Sequence, residues 1–363
     1  MGEVTRPATP ATGTGTGTGL VRLAMTVDAL PVSGGVLFSR GRQALRVRGP
    51  EAWLSGALGR LREGVARPPA DTALGRLVGE LAGLGWIGTG PAPDPALHDG
   101  LPHQRQLGYL ELFGPDPLRM QRRLDAARVA VIGVGGIGAL AAREFVAAGV
   151  RGLWLLDPDR VETHNLNRQH LFGLDDVGVP KVMAAAARLR GLAPDVRITG
   201  LARRVGTPAD LDVLPDGLDL LVLCADTPAD IAALCWSWAA AHGTAMTSAA
   251  VGLDSGYWGP LLDPARGHCL NCFEAARRAR CSADELRLED TGATPTPHSF
   301  GPSNSAVAAL LAHDCLRWLA SGEAPTVGVR GQLAFDTGLT TRTDPVRSWC
   351  RHAEHPISRS TDC

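Results

Sequence analysis

Over the last two thirds of the chain, short apolar runs alternate with helical spacing and glycine-rich turns. The run Val129 to Ile132 is continuously apolar, which fits a strand buried on both faces of a parallel sheet. It leads into Gly133, Gly135, Gly136 and Gly138, then into a helical pattern from Ala139 to Ala148 that Gly149 stops. A second apolar run, Leu153 to Leu156, ends on Asp157. Strand, glycine turn, helix and strand make a βαβ unit whose helix amides face a phosphate. Downstream, the pattern predicts a helix from Lys181 to about Leu192 and strands over 196–198, 219–223, 245–252 and 256–262. An apolar helix is expected from Pro302 to Leu319 and a last strand pair within 327–336. The expected fold is therefore α/β, a Rossmann-like, mostly parallel sheet with helices on both faces.

The N-terminal third reads differently. Residues 1–19 are low-complexity Thr/Gly/Pro and lack material for a core, so they are expected to be a disordered tail. Within 20–92, two short strands flank Ser39-Arg40-Gly41, with period-2 alternation over Gln43 to Arg48. Pro50-Glu51 opens a helix carrying Trp53, Leu54, Leu58 and Leu61 on one face. A second helix starts near Thr72, and Gly85-Trp86-Ile87 closes it. This is a small winged-helix-like α+β domain preceding the large one. A proline-rich linker is placed at 93–104, the large domain at 105–357 and a loose tail at 358–363.

Composition narrows the function. A net charge of −1 argues against a nucleic-acid-binding surface, and no apolar run is long enough for a membrane span. No basic region followed by an apolar stretch marks a secretory signal, so a cytoplasmic location is expected. Eight cysteines then read as free thiols or metal ligands, not a disulfide framework.

A glycine loop of this kind most often serves NAD, and Asp157 would hold ribose hydroxyls in a dinucleotide or in ATP. Arg160, Arg168 and Lys181 decide between them, because a triphosphate uses three cations that a nicotinamide half does not. Lys181 is the only lysine among 363 residues; the other 35 basic residues are arginines. A compact, rotatable ammonium suits a phosphate whose charge moves, whereas survival of one lysine under codon bias is the bland alternative.

The glycine loop, Asp157-Pro158-Asp159-Arg160-Val161, Asn165-Leu166-Asn167-Arg168-Gln169 and Lys181 together resemble the adenylating domain of the ThiF/MoeB and ubiquitin-activating family. The resemblance implies ATP, with Mg²⁺, and activation of a carboxylate with release of pyrophosphate. Gly133, Gly135, Gly136, Gly138, Asp157, Asp159, Asn165, Arg168 and Lys181 would bind the nucleotide. Arg168 and Lys181 would neutralise the β- and γ-phosphates. Asp226, after the strand ending at Leu223, would hold Mg²⁺; a helix N-cap is its plain reading. Arg105, before the loop, would reach the neighbouring subunit's ATP in a homodimer.

Cys269 and Cys272 form a C-x-x-C that structural Zn²⁺ could use, with Cys350 and either His352 or His355 completing the site. A packing role for these cysteines is the alternative. Cys281, which some relatives use to accept the activated acyl group, reads here as a chance cysteine beside Arg277, Arg278 and Arg280.

Residues 20–92 are similar to the PqqD-like leader-recognition element of ribosomal peptide maturation, a generic winged helix being the alternative. Together the two resemblances imply a precursor peptide as substrate. A sulfur-carrier adenylyltransferase is one alternative. Another is a non-catalytic docking subunit for a partner modifying enzyme, a cyclodehydratase.

Overall fold

The computed structural model describes residues 19–90, 103–290, 298–337 and 340–344. The expected N-terminal tail, most of the linker, the C-terminal tail, and Cys350, His352 and His355 lie outside the described residues. The chain divides into two compact units, Met1–Pro117 and Leu118–Cys363.

The first unit holds β1 (Leu20–Leu23), β2 (Asp28–Val32), β3 (Gly35–Arg40), β4 (Gln43–Arg48), α1 (Glu51–Glu63), β5 (Val65–Ala66), α2 (Ala73–Gly83), β6 (Ile87–Thr89) and α3 (Gln104–Leu110). β3 and β4 form the expected hairpin, in the register Gly35↔Arg48 to Arg40↔Gln43. Leu54, Ala57, Leu58 and Leu61 of α1 meet Leu74, Leu77, Val78 and Leu81 of α2 in one core around Trp86 and Phe38. Thr72 caps α2, its Oγ1 accepting from the Gly75 amide at 3.0 Å.

Sequence patterning missed β1, β2, β5 and β6. Strand β1 carries Arg22, only 1% exposed, in the middle of an otherwise apolar run. Its guanidinium pairs with Glu111, equally buried, just beyond α3, and the Glu111 carboxylate also accepts from the Met25 amide. A buried charge inside a strand breaks the alternation a reader relies on, and its partner is remote in sequence.

The second unit contains α4 (Pro117–Ala126), β7 (Arg128–Ile132), α5 (Gly138–Ala147), β8 (Gly152–Leu156), α6 (Lys181–Leu192), β9 (Arg197–Leu201), β10 (Leu220–Leu223) and α7 (Ile231–Ala241). These are followed by β11 (Ala245–Val251), β12 (Ser255–Trp258), α8 (Leu270–Arg278), α9 (Ala283–Asp290), α10 (Gly301–Ser321), β13 (Arg330–Ala334) and β14 (Thr340–Asp344). The sheet order is β14-β13-β12-β11-β10-β7-β8-β9, with β11-β10-β7-β8-β9 parallel and the other pairings antiparallel. This is the expected Rossmann-like sheet. Ala130 and Ile132 of β7 pack with Cys235 and Trp238 of α7, while Val129 and Val131 are equally buried on the opposite face.

Beyond Trp258 the strands depart from the pattern in two places. β12 stops at Trp258 because Pro260 has no N–H for the ladder; Leu261 and Leu262 make isolated bridges only. The expected pair within 327–336 is one strand, β13, whose partner β14 lies beyond it.

The connection from β9 to β10 reverses the strand order, so β7 lies between β8 and β10. Ile132 is in register with both Leu156 and Leu223. Gly133, Asp157 and Cys224 therefore leave the sheet at one level, around the crevice where open α/β sheets bind ligands.

Candidate active site

A cavity of about 630 Å³ opens at this crevice, within the usual size of a small-molecule site. Its floor is the glycine loop. Gly133 has φ +88°, and a Cβ there would lie 2.7 Å from the Ala225 amide nitrogen. A Cβ on Gly138 would sit 1.9 Å from the Gly133 carbonyl oxygen, and one on Gly136 would sit 2.4 Å from Asn304 Oδ1. Gly135 meets nothing closer than Gln169 Nε2 at 3.8 Å, so its lack of a side chain leaves the backbone approachable from the cavity. Helix α5 follows with no side-chain cap, presenting its N-terminal end to whatever occupies the cavity.

Asp157 locks this loop from below. One carboxylate oxygen accepts from the Val134 amide at 2.7 Å and the other from the Asp159 amide at 2.9 Å. Burial pushes its carboxyl above the ordinary value, while the Lys181 charge and the two amides pull it back. The motif assigns the ribose to Asp157. In the structure it is 5% exposed and committed to backbone, whereas the Asp159 side chain is 54% exposed beside it. Asp159 is thus the more accessible acceptor.

Lys181 begins α6 and is nearly buried, with Nζ 2.9 Å from Asp159 Oδ2 and its own amide bonded to the Asp159 carbonyl. Arg168 lines the same cavity, its guanidinium braced on the His164 carbonyl at 2.8 Å and Asn167 Oδ1 at 2.9 Å. Asp226, exposed after β10, also faces the cavity and accepts one hydrogen bond from the Thr227 hydroxyl at 3.2 Å. Glycines 133, 135 and 136, Asp157, Asp159, Arg168, Lys181 and Asp226 are thereby brought together.

Others are not. Asn165 is buried, and its Oδ1 accepts from the Glu162 amide at 3.0 Å; it shapes the turn that carries Arg168 and does not line the cavity. Arg160 turns to the Gly178 carbonyl at 2.7 Å, outside the cavity, so the predicted trio of cations is not formed by these three. Gly138 acts by packing, not by contact with the cavity. Arg105 lies exposed on α3 in the other compact unit. Cys269 and Cys272 are half-buried and in no disulfide at the start of α8, and no group of three metal-binding side chains occurs among the described residues. Cys281 lies 3.8 Å from Arg277 Nη1, whose guanidinium is also bound by Glu274.

The cavity also contains residues the sequence did not point to: Gln169, Arg203, Arg204, His298, Ser299 and Asn304. Gln169 stands within the recognised motif but had no role; it is 4% exposed, and its Oε1 has no partner. Arg203 and Arg204 follow β9, which runs to Leu201 and not, as expected, to Ile198. Cys224 lines the cavity too, but burial pushes its thiol up to about 12, so it stays protonated at neutral pH.

These features fit a nucleoside triphosphate. Glycines whose Cβ would clash, an open helix start, an orphaned buried amide and the cations Lys181 and Arg168 are groups that would suit a polyphosphate. The exposed oxygen donor of Asp226 suits Mg²⁺.

Comparison with known proteins agrees with this geometry. A family model described as the ThiF family matches residues 103–354. The sulfur carrier protein adenylyltransferase of Thermus thermophilus is 41% identical over 124 residues, 34% of this chain and 44% of that protein. The SAMP-activating enzyme E1 of Haloferax volcanii is 43% identical over 106 residues, 29% of this chain and 39% of that protein. The chain thus spans less than half the length of these curated relatives. Among solved structures, Escherichia coli MccB with MccA-N7isoASN aligns at a TM-score of 0.72 and 20% identity, covering 90% of this chain and 96% of that one. PaaA aligns at 0.60 and 22% identity, covering 75% and 91%.

Proposed function

Because the chain belongs to the ThiF family, we propose that it adenylates the carboxylate of a ribosomally made precursor peptide. The observation that carries this reading is the extent of the fold match. The likeness to MccB covers 90% of this chain and 96% of that one, and so takes in most of the N-terminal unit as well as the large sheet. MccB is described as a Microcin C7 biosynthetic enzyme in complex with N-formylated MccA, and another of its structures holds ATP.

The chemistry asks little of the protein beyond position and charge. A peptide carboxylate is ionised at neutral pH, so no general base is needed. One of its oxygens bonds to the α-phosphorus as the bond from that phosphorus to the bridging oxygen breaks, and pyrophosphate leaves. Lys181 and Arg168 neutralise charge on the departing phosphates, and the amides at the start of α5 hold them in line. Asp226 would hold Mg²⁺, which supplies further charge neutralisation to the phosphate oxygens. Asp159, with Asp157 behind it, takes the ribose hydroxyls. Arg105 completes the site from a second copy of the chain.

The leader would be read by the first unit. In the order β2-β3-β4, strand β4 has an open edge, where an extended peptide can add as a further strand. Leu45 and Val47 of β4 pack against the core, while Arg46 and Arg48 are exposed, which favours an acidic leader. Zinc at Cys269 and Cys272 remains part of this proposal, with its other ligands at Cys350 and one of the two histidines.

A second reading, adenylation of a sulfur carrier protein, is favoured by the identity of 41% in the matched region. Mass spectrometry separates them. Purified protein with Mg²⁺–ATP should give an adenylated precursor peptide, lost when the leader is deleted. An adenylated sulfur carrier C-terminus, with no peptide adenylate, would replace the first reading by the second.

A further inference from the structure

Arg203 and Arg204 stand apart from the cations that serve the phosphates. The ladder pairs Leu156 with Leu201, and the Asp157 amide reaches the Leu201 carbonyl at 3.3 Å. The chain leaving β9 therefore emerges beside Asp157 and Asp159. Its first turn is closed by the Arg203 amide on that same carbonyl at 2.8 Å. Val205 is buried beneath, and both arginine side chains are exposed on the cavity wall. Arg203 shares its charge with Asp210, whose carboxyl is held low chiefly by the Gly206 and Thr207 amides. Among the described residues Arg204 has no hydrogen-bond or ion-pair partner.

Order along the sheet fixes what this wall can touch. The phosphate cradle rises from β7 and the ribose acceptors from β8, while Arg203 and Arg204 rise from β9, two strands or about 10 Å from β7. A nucleotide laid from the glycine loop across Asp159 carries its base, not its phosphates, to that point. A planar guanidinium stacks on an aromatic face, and Val205 and Pro158 in the same lining supply apolar contact.

We infer that Arg204, assisted by Arg203, recognises the nucleobase, as a cationic wall on which the adenine ring stacks. This rests on the reading of the cavity as an ATP site.

Calorimetry with adenosine, ATP and inorganic tripolyphosphate tests it on the full chain. Arg204→Ala should weaken adenosine and ATP by the same factor, about 3- to 30-fold, and leave tripolyphosphate unchanged. Lys181→Ala should weaken tripolyphosphate and ATP by a larger factor than adenosine, which meets Lys181 only through the Asp159 carboxylate it holds. Unchanged ATP affinity in Arg204→Ala overturns the inference. So does a loss for tripolyphosphate that matches the loss for ATP, because Arg204 would then be a phosphate ligand. A wild-type protein that binds ATP through Arg204 yet forms no adenylate would refute the proposed activity while leaving the base contact standing.

Discussion

Replacing Lys181 by arginine tests the most specific claim made of the site, that a compact ammonium and not merely a positive charge is needed there. The side chain is 8% exposed, at the first residue of α6, with Nζ 2.9 Å from Asp159 Oδ2. A planar guanidinium is larger than the slot an ammonium fills, and overpacking a buried position typically costs about 1–3 kcal/mol. The charge supporting Asp157 survives, so the unit should fold with a somewhat lowered melting temperature. Catalysis should suffer more, because displacing a positioning group by about 1 Å costs on the order of 100-fold. Lys181→Ala, which also removes the charge, should lose about 100- to 1000-fold. Single-turnover formation of the peptide adenylate, with ATP affinity measured alongside, would separate chemistry from binding. An arginine variant that turns over within threefold of wild type refutes the argument; the lone lysine would then be an accident of composition.

Three further outcomes follow from local geometry. Gly138→Ala places a Cβ 1.9 Å from the Gly133 carbonyl, so the loop must shift and ATP binding should fall on the order of 100-fold while circular dichroism stays native; normal affinity contradicts this. Asp157 has its carboxyl raised by burial, so the folded state holds the proton to higher pH than the unfolded chain. Its contribution to stability then falls as pH climbs from 3.8 through the raised value, and removing the Lys181 charge carries that window upward. Lys181→Ala should accordingly lose more stability at pH 7 than at pH 4 in urea titrations, and equal losses would contradict the coupling. In the first unit, Glu111→Gln leaves Arg22 charged, buried and without its counter-ion, which should cost about 3–5 kcal/mol in urea unfolding. A loss below about 1 kcal/mol would mean the pair does not anchor the unit as its burial implies.

The legible part of this chain was the part where chemistry and periodicity coincide. Val129–Ile132, the four glycines and Leu153–Asp157 announce a βαβ phosphate site because each residue type answers one geometric demand. Asp159, Arg168 and Lys181 were legible through the motif that resembles the adenylating family, and Asp226 through its place after a strand end; all four line the cavity. Asn165 could not be assigned correctly, since a side chain that caps a turn and one that meets a ligand have the same identity. Asp157 and Asp159 are two residues apart, and only burial tells which one holds the loop and which one faces the cavity. Arg203, Arg204 and Asn304 enter the cavity through the sheet order and the packing of α10 on α5, neither of which any local pattern encodes. The missed strands of the first unit are short, and the central one hides a charge whose partner is 89 positions away in the sequence numbering, from Arg22 to Glu111.

The most direct test of the central claim is ATP–pyrophosphate exchange by the purified full chain, with and without candidate precursor peptide. Exchange that requires both the peptide and Lys181 is the predicted result. No exchange, together with tight binding of the peptide by the N-terminal unit, would contradict it and leave a docking protein built on an adenylating fold.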